Sequence, residues 1–161
     1  MKGLIINTYE GQLNCQDLIS FLNQPEYIFN VSLWDITTYN EGESYPEDIE
    51  FTSDMAKKFI FEDKNVIIIA LSLFVSKQKE YSMEIETYEV FLRSEYIVSI
   101  HILDCYKFAI FSKDESILQR IKENFIKKDL ENKTLKEIDF IPLDIEMSVY
   151  ALSSETCLWY L

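Results

Sequence analysis

Ile97-Val-Ser-Ile-His-Ile-Leu-Asp-Cys-Tyr-Lys-Phe-Ala-Ile-Phe-Ser112, running on into Lys113-Asp-Glu115, is the stretch that decides the fold class. Residues 97–103 and 106–112 are rich in Ile, Val and Phe and read as two strands joined by a hairpin around Asp104-Cys105. Asp-Cys is not the favoured Asp-Gly, so a wider turn is an equal reading. A two-residue turn sets His101 opposite Phe108, on the face shared with Ser99 and Leu103. Ser112-Lys-Asp-Glu115 then has the form of a capping box. It opens a helix through about Lys128, with Ile117, Leu118, Ile121, Phe125 and Ile126 as its apolar stripe. A hairpin feeding a helix is the pattern of an α+β protein rather than of a regular doubly wound one.

The other elements extend that pattern. Residues 2–9 read as a first strand. A helix follows, with Asn14 as N-cap, Asp17 near the positive end of the dipole, and Leu18, Ile19 and Leu22 facing the core up to Pro25. Residues 27–38 alternate at first, with Phe29, Val31 and Leu33 on one side, as a half-buried strand does. Residues 40–53 read as a polar loop with Gly42 and Pro46. Residues 54–61 read as a short helix, with Met55 and Phe59 one turn apart. Residues 65–77 are apolar on both faces, interrupted by Ser72, and predict a central buried strand. Residues 83–86 are extended, and 87–94 form a short helix carrying Tyr88, Phe91 and Leu92. A strand within 136–143 closes at Pro142. Residues 146–152 and 156–161 predict a last hairpin. The expectation is one α+β domain over residues 1–161. Its sheet is largely antiparallel, or mixed, with about four helices covering one face.

Charge is distributed unevenly. Of the fifteen Lys and Arg residues only Lys2 precedes Lys57, so the chain through Met55 is net −9. Residues 56–136 are net +1, and the tail from Glu137 is net −5, within a total of −13. Such a field argues against nucleic acid and anionic membrane as partners, since both are polyanions that call for a basic patch. No apolar run approaches the roughly 20 residues of a membrane span. Cys15, Cys105 and Cys157 form no close-spaced pair, and no signal-peptide core is visible. A reduced, cytoplasmic protein is the expectation.

The sequence holds no recognisable catalytic kit. With only Gly3, Gly11 and Gly42 there is no phosphate-cradling loop. One histidine and no Cys-x-x-Cys exclude the usual zinc centres, and no cofactor or metal is expected. His101 could act as a general base beside Asp104 or Cys105, although a packed or surface strand histidine is the plainer reading. Cys105 at the hairpin tip, near Lys107, could be a reactive thiol or simply a turn residue. Glu84 and Glu86 share one face of an extended stretch, as paired or merely solvated carboxylates. Trp34, Tyr39, Tyr45, Tyr106, Trp159 and Tyr160 could line a pocket, or pack in the core. The sharpest feature is residues 41–54. Glu41, Glu43, Glu47, Asp48, Glu50 and Asp54 surround Tyr45 and Phe51 with no base among them. Acids with aromatic anchors suit a protein-binding surface, though a solvated loop has the same composition.

Thr87-Tyr88, Phe91, Ser94, Asp104 and Lys113-Asp114 together resemble a family of small, uncharacterised bacterial proteins known only as a domain of unknown function. The chain departs from that pattern at Glu95-Tyr96, where a small residue or Cys is expected. The resemblance implies a bacterial cytoplasmic protein and brings no activity, cofactor or site residue.

The leading expectation is therefore a non-catalytic interaction protein binding a basic partner through its acidic surface. Immunity proteins that neutralise basic toxins supply an analogy. The alternative is a small-ligand binder or enzyme of unidentified type with His101 and Cys105 near its site. A third reading is an oligomer formed through an exposed edge ending in Trp159-Tyr160-Leu161. Oligomeric state stays open.

Overall fold

The computed structural model describes residues 1–8, 15–38, 52–62, 66–77, 84–104, 107–128 and 134–147. Among the described residues six strands form one sheet: β1 (Gly3–Asn7), β2 (Ile28–Thr38), β3 (Val66–Ser76), β4 (Val98–Leu103), β5 (Lys107–Ser112) and β6 (Thr134–Ile138). Their spatial order is β2-β3-β4-β5-β1-β6, and every neighbouring pair is antiparallel. Four helices complete the described fold: α1 (Cys15–Ile19), α2 (Ser53–Lys57), α3 (Tyr88–Arg93) and α4 (Glu115–Lys127). The protein is α+β, as the hairpin-and-helix pattern predicts.

Strands β2 to β5 follow the chain order as a meander. β1 then inserts between β5 and β6. Alternating directions make β5 and β6 parallel to each other across β1, so β5-α4-β6 is a split β-α-β unit with the first strand in its gap. The segment from β1 through α1 to β2 runs from one side of the sheet to the other.

Burial explains why β4 and β5 are apolar on both faces. One face carries Leu4, Ile6, Leu71, Leu73, Ile100, Ile102, Phe108 and Ile110 against α1, α2 and α4. The other face carries Ile5, Phe74, Ala109 and Phe111 against α3 and residues 138–147. The expectation of helices on a single face is thus corrected. α3 lies opposite the other three helices, because Tyr88 and Phe91 pack on Phe111 and not on the first face.

The hairpin register also differs from the two-residue reading. Leu103 pairs with Lys107 and His101 with Ala109, so three residues, 104–106, connect the strands. Asp104 enters this connection at φ 51°, a left-handed conformation that Asp tolerates better than most residues. Phe108, the partner expected for His101, pairs instead with Ile102 and points to the other face.

Helix ends follow local chemistry. Thr52 caps α2 by accepting from the Met55 amide, and Thr87 caps α3 by accepting from Val90. α2 runs on into a π-helical turn over Lys58–Glu62, which brings Ala56, Phe59 and Ile60 inward; Met55 is only partly buried. The N-cap of α4 is Asp114, not Ser112. Its Oδ1 accepts from the Ser116 amide at 2.9 Å and the Ser116 hydroxyl at 2.6 Å. Ser112 still belongs to β5; its hydroxyl donates to the Ile97 carbonyl and accepts from the Asp114 amide. Replacing Asp114 by Ala is expected to cost about 1 kcal/mol in urea unfolding, as losing an N-cap does. An unchanged midpoint would return the cap to Ser112.

Of the expected α4 stripe, Ile117, Leu118, Ile121 and Phe125 are buried, but Ile126 is 59% exposed. Leu92, carried by α3, is 41% exposed. Both helices cover the sheet with a narrower face than their apolar content suggests. The expected N-cap Asn14, residues 40–51 of the polar loop, and the final hairpin apart from Glu146, which bridges to Thr87, and the buried Met147 lie outside the described residues; Thr52 and Ser53, expected in the loop, cap and open α2 instead.

Candidate functional site

His101 lies in the middle of the sheet, and its chemistry follows from that position. Register places it beside Ser72 on β3 and Ala109 on β5. Its side chain is 2% exposed, edge-on to Phe74 at 5.6 Å and against Phe111 at 6.1 Å. Nδ1 is 3.0 Å from the Ser72 hydroxyl. Burial among these rings disfavours the charged imidazolium and pushes His101 down to about 3. At neutral pH the ring is therefore uncharged. If the proton is on Nε2, Ser72 donates to Nδ1; if it is on Nδ1, the ring donates to Ser72. In both tautomers Nε2 has no hydrogen-bond partner among the described residues, and neither has the buried hydroxyl of Ser99, two residues earlier on the same face.

In the general-base reading of His101 the neighbouring group is Asp104 or Cys105. Asp104 sits at the hairpin end, partly exposed, with Lys107 at 3.7 Å. Cys105 lies outside the described residues. The group that reaches the imidazole is Ser72, which sequence reasoning noted only as an interruption in an apolar run. A serine in one doubly buried strand and a lone histidine in another were the available signal, since buried polar groups seek partners. Among the described residues no carboxylate reaches Nε2, and both members of the Ser72–His101 pair are enclosed. The arrangement can join β3 to β4 by a side-chain hydrogen bond. It does not have the oriented base and accessible nucleophile of a hydrolase.

Of the expected partner-binding residues, Glu41, Glu43, Tyr45, Glu47, Asp48 and Glu50 lie outside the described residues. Asp54 is described, exposed in the first turn of α2. Across the gap, Asp35 is exposed on β2, three residues before the strand ends. Among the described residues neither carboxylate forms an ion pair. Lys57, the nearest base after Asp54 in the chain, turns away: its Nζ donates to the Gln24 carbonyl at 3.0 Å and lies over the Phe29 ring. The Ser53 hydroxyl accepts from the Phe29 amide at 2.9 Å and ties α2 to β2.

Glu84 and Glu86 both face solvent, with Ile85 buried between them. Among the described residues no three His, Cys, Asp or Glu side chains converge as metal ligands would, and no helix is long and apolar enough to cross a membrane. Tyr39, Tyr45, Tyr106, Trp159 and Tyr160 lie outside the described residues, as does the side chain of Trp34.

Apart from Asp104 at the hairpin end, the residues that carry the family resemblance form a structural set. Thr87 caps α3, and Phe91 is fully buried beneath it. The Ser94 hydroxyl donates to the Phe91 carbonyl at 2.8 Å. Lys113 donates to the Ser94 carbonyl and lies over the Phe91 ring, while Asp114 caps α4. The set fastens the end of α3 to the start of α4.

Fold and site together define a single-sheet, antiparallel α+β protein whose central polar residues are enclosed and whose free charges lie at the surface. The chain belongs to the family described as "Protein of unknown function (DUF2691)", whose model matches residues 2–140, a span reaching from β1 past the end of β6. No curated protein and no solved structure matches it.

Proposed function

We propose that this protein is a non-catalytic interaction protein that takes a basic protein partner through the acidic surface spanning Glu41, Glu43, Tyr45, Glu47, Asp48, Glu50 and Asp54. The observation that carries this reading is acidity left largely uncompensated. The first third of the chain is net −9; Asp17 pairs with Lys128, but Asp35 and Asp54, the described carboxylates on either side of the acidic stretch, are exposed and have no ion pair among the described residues. Clustered acids of one sign speed the capture of a basic surface and make it salt-dependent. The immunity-protein form of the reading calls for a basic toxin as the partner. The alternative, a ligand or catalytic site at His101, gains little from a ring that is neutral, enclosed and already bonded to Ser72.

The test begins with capture of a partner by the tagged protein at low salt, followed by association kinetics with the purified partner. Reversal of Glu43, Glu47 and Asp48 to Lys is expected to slow association about tenfold or more at low salt, with the gap closing as salt screens it. Reversal of Glu84, Glu86 and Glu123, an equal change of charge elsewhere, should leave the rate near wild type. Equal slowing by both variants would reduce the effect to net charge, and no slowing by the first would remove the acidic surface from the interface.

A further inference from the structure

A cleft of about 300 Å³ opens between residues 21–27 and the first turns of α4. Phe21, Glu26 and Tyr27 are on one wall, with Asp114, Ser116 and Arg120 on the other. The volume is at the low end of ligand sites, which run from about 300 to 1,000 Å³, so it suits a small molecule.

The charges in this cleft are arranged unusually for so acidic a chain. Arg120 lays its guanidinium over the Phe21 ring, 4.3 Å from the centroid. The ring holds the group in place by a cation–π contact and leaves its N–H fork free. With 28 acids against 15 bases in the chain, a carboxylate partner would be easy to supply, yet Arg120 forms no ion pair among the described residues. Glu26 lines the same cleft, is exposed, and also has no ion pair there. The two do not pair with each other. Asp114, the other acid in the wall, is engaged: the Ser116 hydroxyl and amide hold its carboxyl below the usual range, with Lys77 adding to the effect. Lys77 itself rests over the Tyr27 ring at 5.3 Å. The cleft therefore presents one cation and one anion that have no ion pair among the described residues: Arg120, which reaches from α4 onto the Phe21 ring, and Glu26 on the same wall as that ring.

We propose that this cleft binds a small zwitterion of the α-amino-acid class, its carboxylate taken by the Arg120 fork and its ammonium by Glu26. A planar guanidinium matches a carboxylate with two parallel hydrogen bonds, which a point charge does not. A purely anionic ligand would meet Glu26 unpaired, and a purely cationic one would meet Arg120. The ligand that satisfies both groups carries both charges. This site is independent of the acidic surface at residues 41–54, and either can fail alone.

The test is an NMR titration of the isotopically labelled full chain with glycine, L-serine and L-phenylalanine. Each is taken separately to about 20 mM, which reaches the millimolar affinities expected of so small a site. Acetate and methylammonium chloride at the same concentrations are the single-charge controls. The expected result is a saturable shift of the Arg120 Nε–H and the Ser116 and Tyr27 amides with at least one of the amino acids. Neither control should produce it. Arg120→Gln and Glu26→Gln should each weaken binding about tenfold. Both side chains are exposed, and an otherwise unchanged amide spectrum shows that the variants fold. Saturation by acetate alone, insensitivity to Glu26→Gln, or no saturation with any of the three amino acids would each overturn the proposal.

Discussion

Phe111→Ala is expected to lower the stability of the fold by about 3–5 kcal/mol, the range for truncating a fully buried phenylalanine. Phe111 is 0% exposed at the centre of the second face, with Tyr88 of α3 at 6.0 Å and His101 at 6.1 Å. It also leans over Gly3, its register partner on β1. A Cβ on Gly3 would stand 2.7 Å from Phe111 Cδ1 and 2.9 Å from the Ile110 carbonyl oxygen, closer than real contacts allow. Gly3→Ala is therefore expected to cost about 1–3 kcal/mol by overpacking, because the carbonyl belongs to β5 and cannot swing aside. The two substitutions should not add. Removing the Phe111 ring relieves the ring contact and leaves the carbonyl one, so the double variant should fall short of the sum by about 0.5 kcal/mol or more. Urea unfolding of the wild type, both single variants and the double variant measures this. Strict additivity would mean that β1 does not approach β5 as closely as the register requires.

Acid should weaken the protein through His101. Folded, His101 keeps a pKa of about 3; unfolded, it returns to the ordinary 6.5. Between these values the unfolded chain binds a proton that the folded chain refuses, so the unfolded state gains as pH falls. The stabilisation is whole above about pH 6.5 and is lost at about 1.4 kcal/mol per pH unit on the way down. From pH 7 to pH 5 the wild type should lose about 2 kcal/mol from this source. His101→Asn keeps a hydrogen-bonding atom near the Nδ1 position for Ser72 but cannot titrate. It is expected to be less stable than wild type at pH 7, since it is smaller, and to lose much less on acidification. The carboxylates titrate in both proteins, so the difference between the two pH profiles isolates the histidine. Parallel profiles would show that His101 is charged or accessible in the folded state.

Local chemistry made several elements legible beforehand. Thr87 and the Tyr88–Phe91 pair marked α3 to within a residue or so, and the Ile-rich run around Ser72 marked β3. The stripe of α4 was correct where i, i+3 and i+4 spacing converged on one line, at Ile117, Leu118, Ile121 and Phe125. Ile126 failed because it lies a further residue round the helix, beyond the sheet's reach. The hairpin register missed by one residue, since a left-handed Asp104 admits a three-residue connection that the letters Asp-Cys do not announce. The candidate site was legible in part: His101 was singled out, its plainer reading left a packed and a surface position equally open, and its partner was missed. Asp54 is exposed as a binding residue requires, while most of the acidic stretch lies outside the described residues.

By itself, then, the sequence determined what short-range physics decides. Apolar periodicity made the strands and helices, caps and turn residues bounded them, a hairpin running into a helix set the α+β class, and the charge count placed the acidity in the first third of the chain. Only the tertiary structure decided which strands are neighbours, which face each helix covers, and what each central polar group meets. Ser72 and His101 are 29 residues apart in the chain, and Gly3 and Phe111 are further still. Such pairs form only when β1 inserts beside β5 and β3 beside β4 in one particular register. Register is the cooperative outcome of burying both faces at once, because a slip of one residue would turn every side chain of a strand to the opposite face.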